Sequence, residues 1–159
     1  MIEWIEKASK LDGDFAEIGL GVGETTVKLL SFNKKVLGVD PFEDGWSEMP
    51  KSYGEPYRYE EFNNRIRNYN NFELLRVNSL SEEAEVFLNK PLALAYVDGL
   101  QYKGAVLNDL RIVSHAEIII VDDINRRSYI SQVPQAVEDF IKQTNRNLII
   151  KDRWAILTK

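Results

Sequence analysis

Residues 17–26 read Glu-Ile-Gly-Leu-Gly-Val-Gly-Glu-Thr-Thr, and this stretch decides the fold. A short apolar run that leads into glycines at alternate positions is typical of a strand that turns tightly beneath a bulky cofactor. About twenty residues later, the run Val36-Leu37-Gly38-Val39 ends at Asp40. An acid at the end of the next strand can hold the hydroxyls of a ribose. The pattern therefore predicts a nucleotide-type site.

The spacing of the glycines distinguishes between the kinds of nucleotide that such a site could bind. Gly19, Gly21 and Gly23 are spaced G-x-G-x-G, whereas the G-x-G-x-x-G spacing brings a pyrophosphate onto a helix N-terminus. A dinucleotide is therefore the weaker interpretation. A tight strand-to-helix turn could also use these glycines without any ligand. Three further polar sites at strand positions favour a ligand, namely Glu17, Asp40 and the pair Asn78-Ser79.

Size and composition predict one α/β domain over residues 1–159 with an apolar core, because 44% of the chain is hydrophobic. The formal net charge of -5 argues against nucleic acid as a partner. The absence of cysteine excludes disulfides, thiolate zinc sites and a cysteine nucleophile. Residues 1–10 carry two acids and no long apolar run, so we expect neither a signal peptide nor a membrane span, and a cytoplasmic protein.

Strands and helices are predicted to alternate along most of the chain. Short runs rich in Val, Ile and Leu predict strands buried on both faces at Ala16–Leu20, Lys35–Val39, Phe72–Val77, Leu92–Val97 and Glu117–Val121. Apolar residues at intervals of three and four predict helices at Glu24–Ser31, Tyr57–Tyr69, Ser81–Leu88, Gly104–Ile112 and Pro134–Gln143. This alternation predicts a parallel sheet with helices on both faces.

The C-terminus breaks the alternation. Two strand-like runs, Asn147–Lys151 and Trp154–Lys159, are separated only by Asp152-Arg153. Two residues are too few for a crossover helix, so the two runs must pair as an antiparallel hairpin.

Three carboxylates follow two strands that should be neighbours in the sheet. Asp98 follows the run that ends at Val97, and Asp122 and Asp123 follow the run that ends at Val121. Unpaired carboxylates at one sheet edge would repel each other, and a divalent cation would relieve the repulsion. Oxygen ligands suit Mg²⁺, Mn²⁺ or Ca²⁺. The alternative is that adjacent acids after a strand cap the following loop.

The glycine segment and the terminal hairpin together resemble the class I S-adenosylmethionine (SAM)-dependent methyltransferases. The resemblance implies a Rossmann-like fold of seven strands, mostly parallel, with an antiparallel C-terminal hairpin strand and a short N-terminal helix. It implies SAM as the cofactor, with Glu17 to Gly23 as the first motif, Asp40 on the ribose, and Asn78 or Ser79 near the adenine. Phe42 would stack on the base or belong to the core. Thr25 would face the carboxylate of SAM or cap a helix.

A second resemblance rests on Asp98-Gly-Leu-Gln-Tyr-Lys103 and on the segment from Ile119 to Phe140. Both are similar to the metal-associated O-methyltransferases, which include catechol-type enzymes and enzymes with a D-G-x-H segment. The resemblance implies that Asp98, Asp122 and Asp123 bind Mg²⁺, and it makes Asp98, which also belongs to the SAM site, a catalytic residue with Gln101 and Lys103. Relatives place His or Lys where this chain has Gln101, which cannot take up a proton near neutral pH.

The predicted function is methyl transfer from SAM to a hydroxyl oxygen of a small molecule, with a homodimer as an expected assembly. A second hypothesis is a non-catalytic SAM-binding module that regulates or scaffolds a partner, since the general base is missing at Gln101. A nicotinamide-dependent oxidoreductase is a third, disfavoured by the glycine spacing. The aromatic-rich connection over residues 41–59 predicts either a lid or a loop packed on its own helix. His115 is predicted at a surface turn remote from the site.

Overall fold

The computed structural model of the protein describes residues 1–42, 55–125 and 132–159, without the side chains of residues 55–57. The strands are β1 (Asp14–Ile18), β2 (Val36–Val39), β3 (Phe72–Leu75), β4 (Leu92–Val97), β5 (Ile118–Val121), β6 (Asn147–Lys151) and β7 (Trp154–Thr158). The helices are α1 (Ile2–Ser9), α2 (Glu24–Leu30), α3 (Glu55–Ile66), α4 (Glu82–Leu88), α5 (Lys103–Ile112) and α6 (Val133–Gln143). Most of the predicted connection over residues 41–59 lies outside the described residues.

All seven strands form one sheet in the order β3-β2-β1-β4-β5-β7-β6. Strands β1 to β5 pair in parallel, whereas β7 runs antiparallel to both β5 and β6. This confirms the predicted mostly parallel sheet with its C-terminal hairpin. The order reverses between β1 and β4, and open α/β sheets bind ligands beyond the carboxyl ends of the strands at such a point.

Two hydrophobic clusters cover the two faces of the sheet. One cluster packs Ala16 and Ile18 of β1 against apolar residues of α4, α5 and α6. The other packs Phe15 of β1 against residues of α1 and α2, including Ile5 and Leu29. Successive residues of a strand point to opposite faces, so β1 contributes to both clusters. The prediction of helices on both faces is confirmed.

Two strands end two residues earlier than predicted. Strand β1 ends at Ile18 rather than Leu20, because Gly19 has a φ of 83° and turns the chain out of the sheet. Strand β3 ends at Leu75 rather than Val77. It lies at the edge of the sheet, and its pairing stops where its sole neighbour β2 stops, at Val39.

A buried arginine ties the C-terminal hairpin to the rest of the sheet. Arg146 lies directly before β6 and is only 9% exposed. Its guanidinium donates to the carbonyl oxygens of Ser114, Ala116, Glu117 and Leu157. These carbonyls lie around the start of β5 and the end of β7, at the opposite end of the strands from the turns that follow β1 and β4. The sequence analysis did not identify this arginine, because a single basic residue before a strand is usually solvated.

No helix in the described part of the chain combines the length and apolar character that a membrane span requires.

Candidate functional site

The glycine turn after β1 lies against the turn after β4. A Cβ atom on Gly19 would lie 2.3 Å from the carbonyl oxygen of Asp98, so only glycine allows the two backbones to approach this closely. Gly21 differs in its surroundings, since no atom of the described residues lies within 4 Å of the position that its Cβ would take. Its φ of 54° is in the left-handed region that favours glycine. The turn therefore presents an uncovered stretch of backbone.

Asp40 fixes the shape of this turn. One oxygen of its carboxylate, Oδ2, accepts hydrogen bonds from the backbone N–H groups of Leu20 at 2.8 Å and Gly21 at 3.3 Å. The other, Oδ1, accepts from the N–H of Phe42 at 2.6 Å. The guanidinium of Arg58 lies 3.9 Å from Oδ2. Asp40 is therefore both a loop-positioning carboxylate and an acid on the wall of the space beyond the turn.

A cavity of about 450 Å³ lies over the glycine turn, a volume within the range of small-molecule sites. It is located where the strand order reverses, beyond β1, β2 and β4. Nine of the predicted site residues line it: Glu17, Gly19, Gly21, Thr25, Asp40, Asn78, Ser79, Asp98 and Asp122. Seven of them lie in the turns after strands β1 to β5, whereas Glu17 lies in β1 and Thr25 in α2. The fold therefore brings together most of the residues that the sequence predicted for the site.

Two predicted cofactor residues do not line the cavity. Phe42 is buried and its ring lies 5.1 Å from the rings of both Tyr59 and Phe62. The stacking role is thus not supported, and of the two predicted alternatives the structure places Phe42 in the core. Gly23 precedes α2 and a Cβ there would lie 3.0 Å from the ring of Phe62, so its role in the structure is to allow close packing.

Glu17 is a buried acid at the base of the cavity. It is 1% exposed, and its Oε2 atom has no hydrogen-bond partner among the described residues. Burial raises the pKa of Glu17 to about 8, and although a contact with Thr26 opposes the shift, the negative charges of Asp98 and Asp40 add to it. Glu17 therefore carries a proton at neutral pH and offers a polar group to a ligand without adding a charge.

Two of the three acids predicted to bind a metal are instead hydrogen-bonded to donor side chains. Arg153, in the turn of the β6–β7 hairpin, places Nε 2.5 Å from Asp122 Oδ1 and Nη2 2.8 Å from Asp123 Oδ1. The hydroxyl of Tyr96 donates to Asp122 Oδ2 at 2.5 Å, and the amide of Gln101 donates to Asp123 Oδ2 at 2.7 Å. Each of the four carboxylate oxygens therefore already accepts a hydrogen bond.

This donor set does not fit a divalent cation. Mg²⁺ requires oxygen lone pairs directed at the ion, and here every oxygen of Asp122 and Asp123 already directs one lone pair at a guanidinium, a phenol or an amide. Across residues 1–42, 55–125 and 132–159, no group of three or more acidic, His or Cys side chains has a geometry for metal binding. The prediction that Asp98, Asp122 and Asp123 bind Mg²⁺, Mn²⁺ or Ca²⁺ together is therefore not supported, because Arg153 provides the compensating charge.

Of the three predicted catalytic residues, only Asp98 lines the cavity, where it is exposed. Gln101 is turned toward Asp123, and Lys103 forms an ion pair with Asp139 of α6 at 2.5 Å. Neither of these two lines the cavity. His115 is exposed and its Nε2 lies 2.9 Å from the carbonyl oxygen of Lys90, before the start of β4, which confirms its predicted place remote from the site.

Three residues that the sequence analysis did not assign to the site line its far wall: Tyr96, Arg153 and Trp154. The indole N–H of Trp154 donates to the hydroxyl of Tyr96 at 3.2 Å, which extends the network around Asp122. Burial, followed by the hydrogen bond to Asp122, raises the pKa of Tyr96 far above its ordinary value, so the phenol remains protonated. In the sequence, Tyr96 belongs to an apolar strand and Arg153 to a two-residue turn, and neither position indicates a site.

The sequence matches no protein-family model and no curated protein. Several solved structures are similar in fold. The calicheamicin methyltransferase CalS11 superposes with a TM-score of 0.71 at 15% identity, over 99% of this chain and 76% of that one. The O-methyltransferase from Bacillus cereus, in complex with S-adenosylhomocysteine (SAH), gives 0.66 at 13% identity, over 99% and 78%. An rRNA methylase from Streptococcus thermophilus gives 0.63 at 17% identity, over 99% and 93%. The fold is therefore that of SAM-dependent methyltransferases.

Proposed function

We propose that the protein is a SAM-dependent methyltransferase that methylates a hydroxyl oxygen of a small molecule. The observation that carries the proposal is the cavity over the glycine turn, at the point where the strand order reverses and with the backbone of Gly21 open to it. The fold shared with methyltransferases of known structure, some of them O-methyltransferases, supports the proposal.

The residues around the cavity support SAM as the ligand. The open space above Gly21 allows a bulky group to lie against the backbone. Asp40 would hold the ribose with the lone pairs that the loop N–H groups leave, and Asn78 or Ser79 would lie at the adenine. Thr25, at the start of α2, would face the carboxylate of the cofactor. SAM supplies an activated methyl group on a positively charged sulfur.

Asp98 is the residue for which we propose a direct role in the reaction. It lies at the end of β4 against Gly19, and it shares the cavity wall with Tyr96 and Arg153. Its carboxylate would orient the acceptor hydroxyl and take up its proton. Tyr96 would not compete for that proton, because its phenol remains protonated and donates to Asp122.

Calorimetric titration with SAH and a transfer assay with labelled SAM test the proposal together. We expect the protein to bind SAH but not NADH, and to methylate at least one acceptor in a screen of catechols, sugars and other hydroxylated metabolites. Asp98→Asn should keep SAH binding within a few-fold and lose turnover by about 10²-fold or more, since it removes the proposed proton acceptor.

Asp139→Asn is the matched control, because Asp139 is an acid on α6 that pairs with Lys103 and does not line the cavity. It should leave both binding and turnover unchanged. Binding of NADH without binding of SAH would refute the assignment of the cofactor. Equal losses in the two variants would refute the role of Asp98.

A second candidate function is a SAM-binding module without methyl transfer. It is favoured by the positions of Gln101 and Lys103, which contact Asp123 and Asp139 instead of lining the cavity. SAH binding without transfer to any acceptor, including an RNA fragment in the same screen, would support this second function.

A further inference from the structure

The two adjacent acids after β5 are held by a cation that belongs to the chain itself. Arg153 spans both carboxylates, with Nε on Asp122 and Nη2 on Asp123. Burial alone would lower the pKa of this guanidinium, but its hydrogen bond to Asp122 and the charges of both acids outweigh that effect and raise it. The group is therefore a permanent positive charge at the wall of the cavity.

The second oxygen of each acid also accepts a hydrogen bond. Tyr96 donates to the second oxygen of Asp122, and Gln101 donates to the second oxygen of Asp123 through its amide nitrogen. The backbone N–H of Asp123 adds a bond of 2.7 Å to Asp122 Oδ1. A divalent ion would have to compete with the charge of the guanidinium and with both neutral donors for these oxygens.

The backbone holds Arg153 in this position. The N–H of Ile124 donates to the carbonyl oxygen of Arg153 at 3.0 Å, and the side chain of Asn125 donates to the carbonyl oxygen of Asp152. The turn of the hairpin is thus tied to the segment that carries both acids. Because these backbone contacts fix the turn to the acids, they position the Arg153 guanidinium beside both carboxylates.

We propose that Arg153 takes the place of a divalent cation in this protein, so that Asp122 and Asp123 bind no metal in the folded chain. Arg153 is a positioning residue in this proposal, which holds the wall beside Asp98 by neutralising the acids behind it. A planar guanidinium suits two neighbouring carboxylates because it donates along fixed directions to more than one oxygen. The proposal concerns charge compensation within the chain and stands whether or not the methyl-transfer function is correct.

Direct measurement of Mn²⁺ binding by electron paramagnetic resonance tests the proposal. The wild-type protein should bind no Mn²⁺ at millimolar concentrations, and EDTA should leave its melting temperature unchanged. Arg153→Gln should bind a single Mn²⁺, because the two acids then lose the guanidinium that contacts both of them and their oxygens can turn to an ion. Adding Asp122→Asn to that variant should weaken the new site by at least about tenfold, since it removes a ligand.

Arg111→Gln is the matched control. Arg111 forms a comparable two-bond pair, but with the single exposed acid Glu85. Its loss leaves one carboxylate in water and should create no Mn²⁺ site.

Two results would overturn the proposal. One is Mn²⁺ binding by the wild-type protein that Asp122→Asn abolishes. The other is a folded Arg153→Gln variant that binds no Mn²⁺. Should Arg153→Gln fail to fold, the wild-type titration and Asp122→Asn decide the question alone. None of these measurements uses SAM, so their outcome is separate from that of the proposed function.

Discussion

Gly19 and Asp98 are in backbone contact, such that a Cβ atom on Gly19 would lie 2.3 Å from the carbonyl oxygen of Asp98. The atom in the way belongs to the backbone directly after β4, so no side-chain rotation relieves the clash. Gly19→Ala should lower the free energy of unfolding by about 3 kcal/mol, because the new methyl group overpacks the contact and because alanine disfavours the left-handed φ of this position. Urea unfolding measures this loss.

Gly21→Ala should behave differently although it lies two residues away. Its φ is also left-handed, which costs about 1 kcal/mol, but in the part of the chain that the structure describes no atom lies within 4 Å of the new methyl group. The methyl group would instead occupy the space above the turn. We expect a small loss of stability and a clear loss of SAH affinity by calorimetry. If Gly21→Ala destabilises the protein as much as Gly19→Ala does, the conclusion that the space above Gly21 is open is refuted.

Glu17 should make stability depend on pH. Its pKa rises from 4.5 to about 8 on folding, chiefly by burial, so the folded state binds the proton more tightly. The associated stability is fully present below the unfolded pKa of 4.5 and is lost as the pH rises toward about 8. The slope from this one group is about 1.4 kcal/mol per pH unit. Glu17→Gln should remove that slope and be more stable than wild type at the alkaline end.

Unfolding by urea at several pH values across this window checks the prediction, with Glu6→Gln on the exposed face of α1 as the control. Burial raises the pKa of Asp109 to about 7, and this group adds the same pH dependence of stability to the wild type and to both variants. Parallel stability curves for wild type and Glu17→Gln would contradict a neutral Glu17.

Arg146→Met should destabilise the protein by about 3 kcal/mol, because four carbonyl oxygens around the start of β5 and the end of β7, each buried or partly buried, lose the guanidinium as a donor. Thermal and urea unfolding measure the loss. Arg111→Met removes an exposed pair with Glu85 and should cost at most about 1 kcal/mol. Equal effects of the two substitutions would show that the carbonyl contacts of Arg146 stabilise the fold no more than an exposed ion pair does.

Phe42→Leu separates the two roles that the sequence allows for this ring. In the structure the ring packs on Tyr59 and Phe62, so the substitution should lower the free energy of unfolding by about 1–2 kcal/mol. SAH affinity should change by less than about twofold, because Phe42 does not line the cavity. A tenfold loss of SAH affinity without a loss of stability would restore the stacking role.

Local patterns were sufficient to predict the strands, the helices and the terminal hairpin. Strands, helices and tight turns are largely set by residues close together in the chain, and the apolar runs and the two-residue break at Asp152-Arg153 are patterns of that kind. The boundaries were less accurate, as at β1 and β3, because they are set by where a neighbouring strand stops and where a glycine turns the chain.

By itself, the sequence determined that Glu17, the glycine turn, Asp40 and Asp98 share one edge of a parallel sheet. This follows because parallel strands bring their carboxyl ends together. Only the tertiary structure decided what surrounds the acids and rings at that edge. Arg153 reaches Asp122 across 31 residues of chain, and Phe42 turns into the core. The contact of Arg153 could not be predicted, and the sequence left base stacking and core packing open for Phe42, because a side chain's partner depends on which distant segment folds against it.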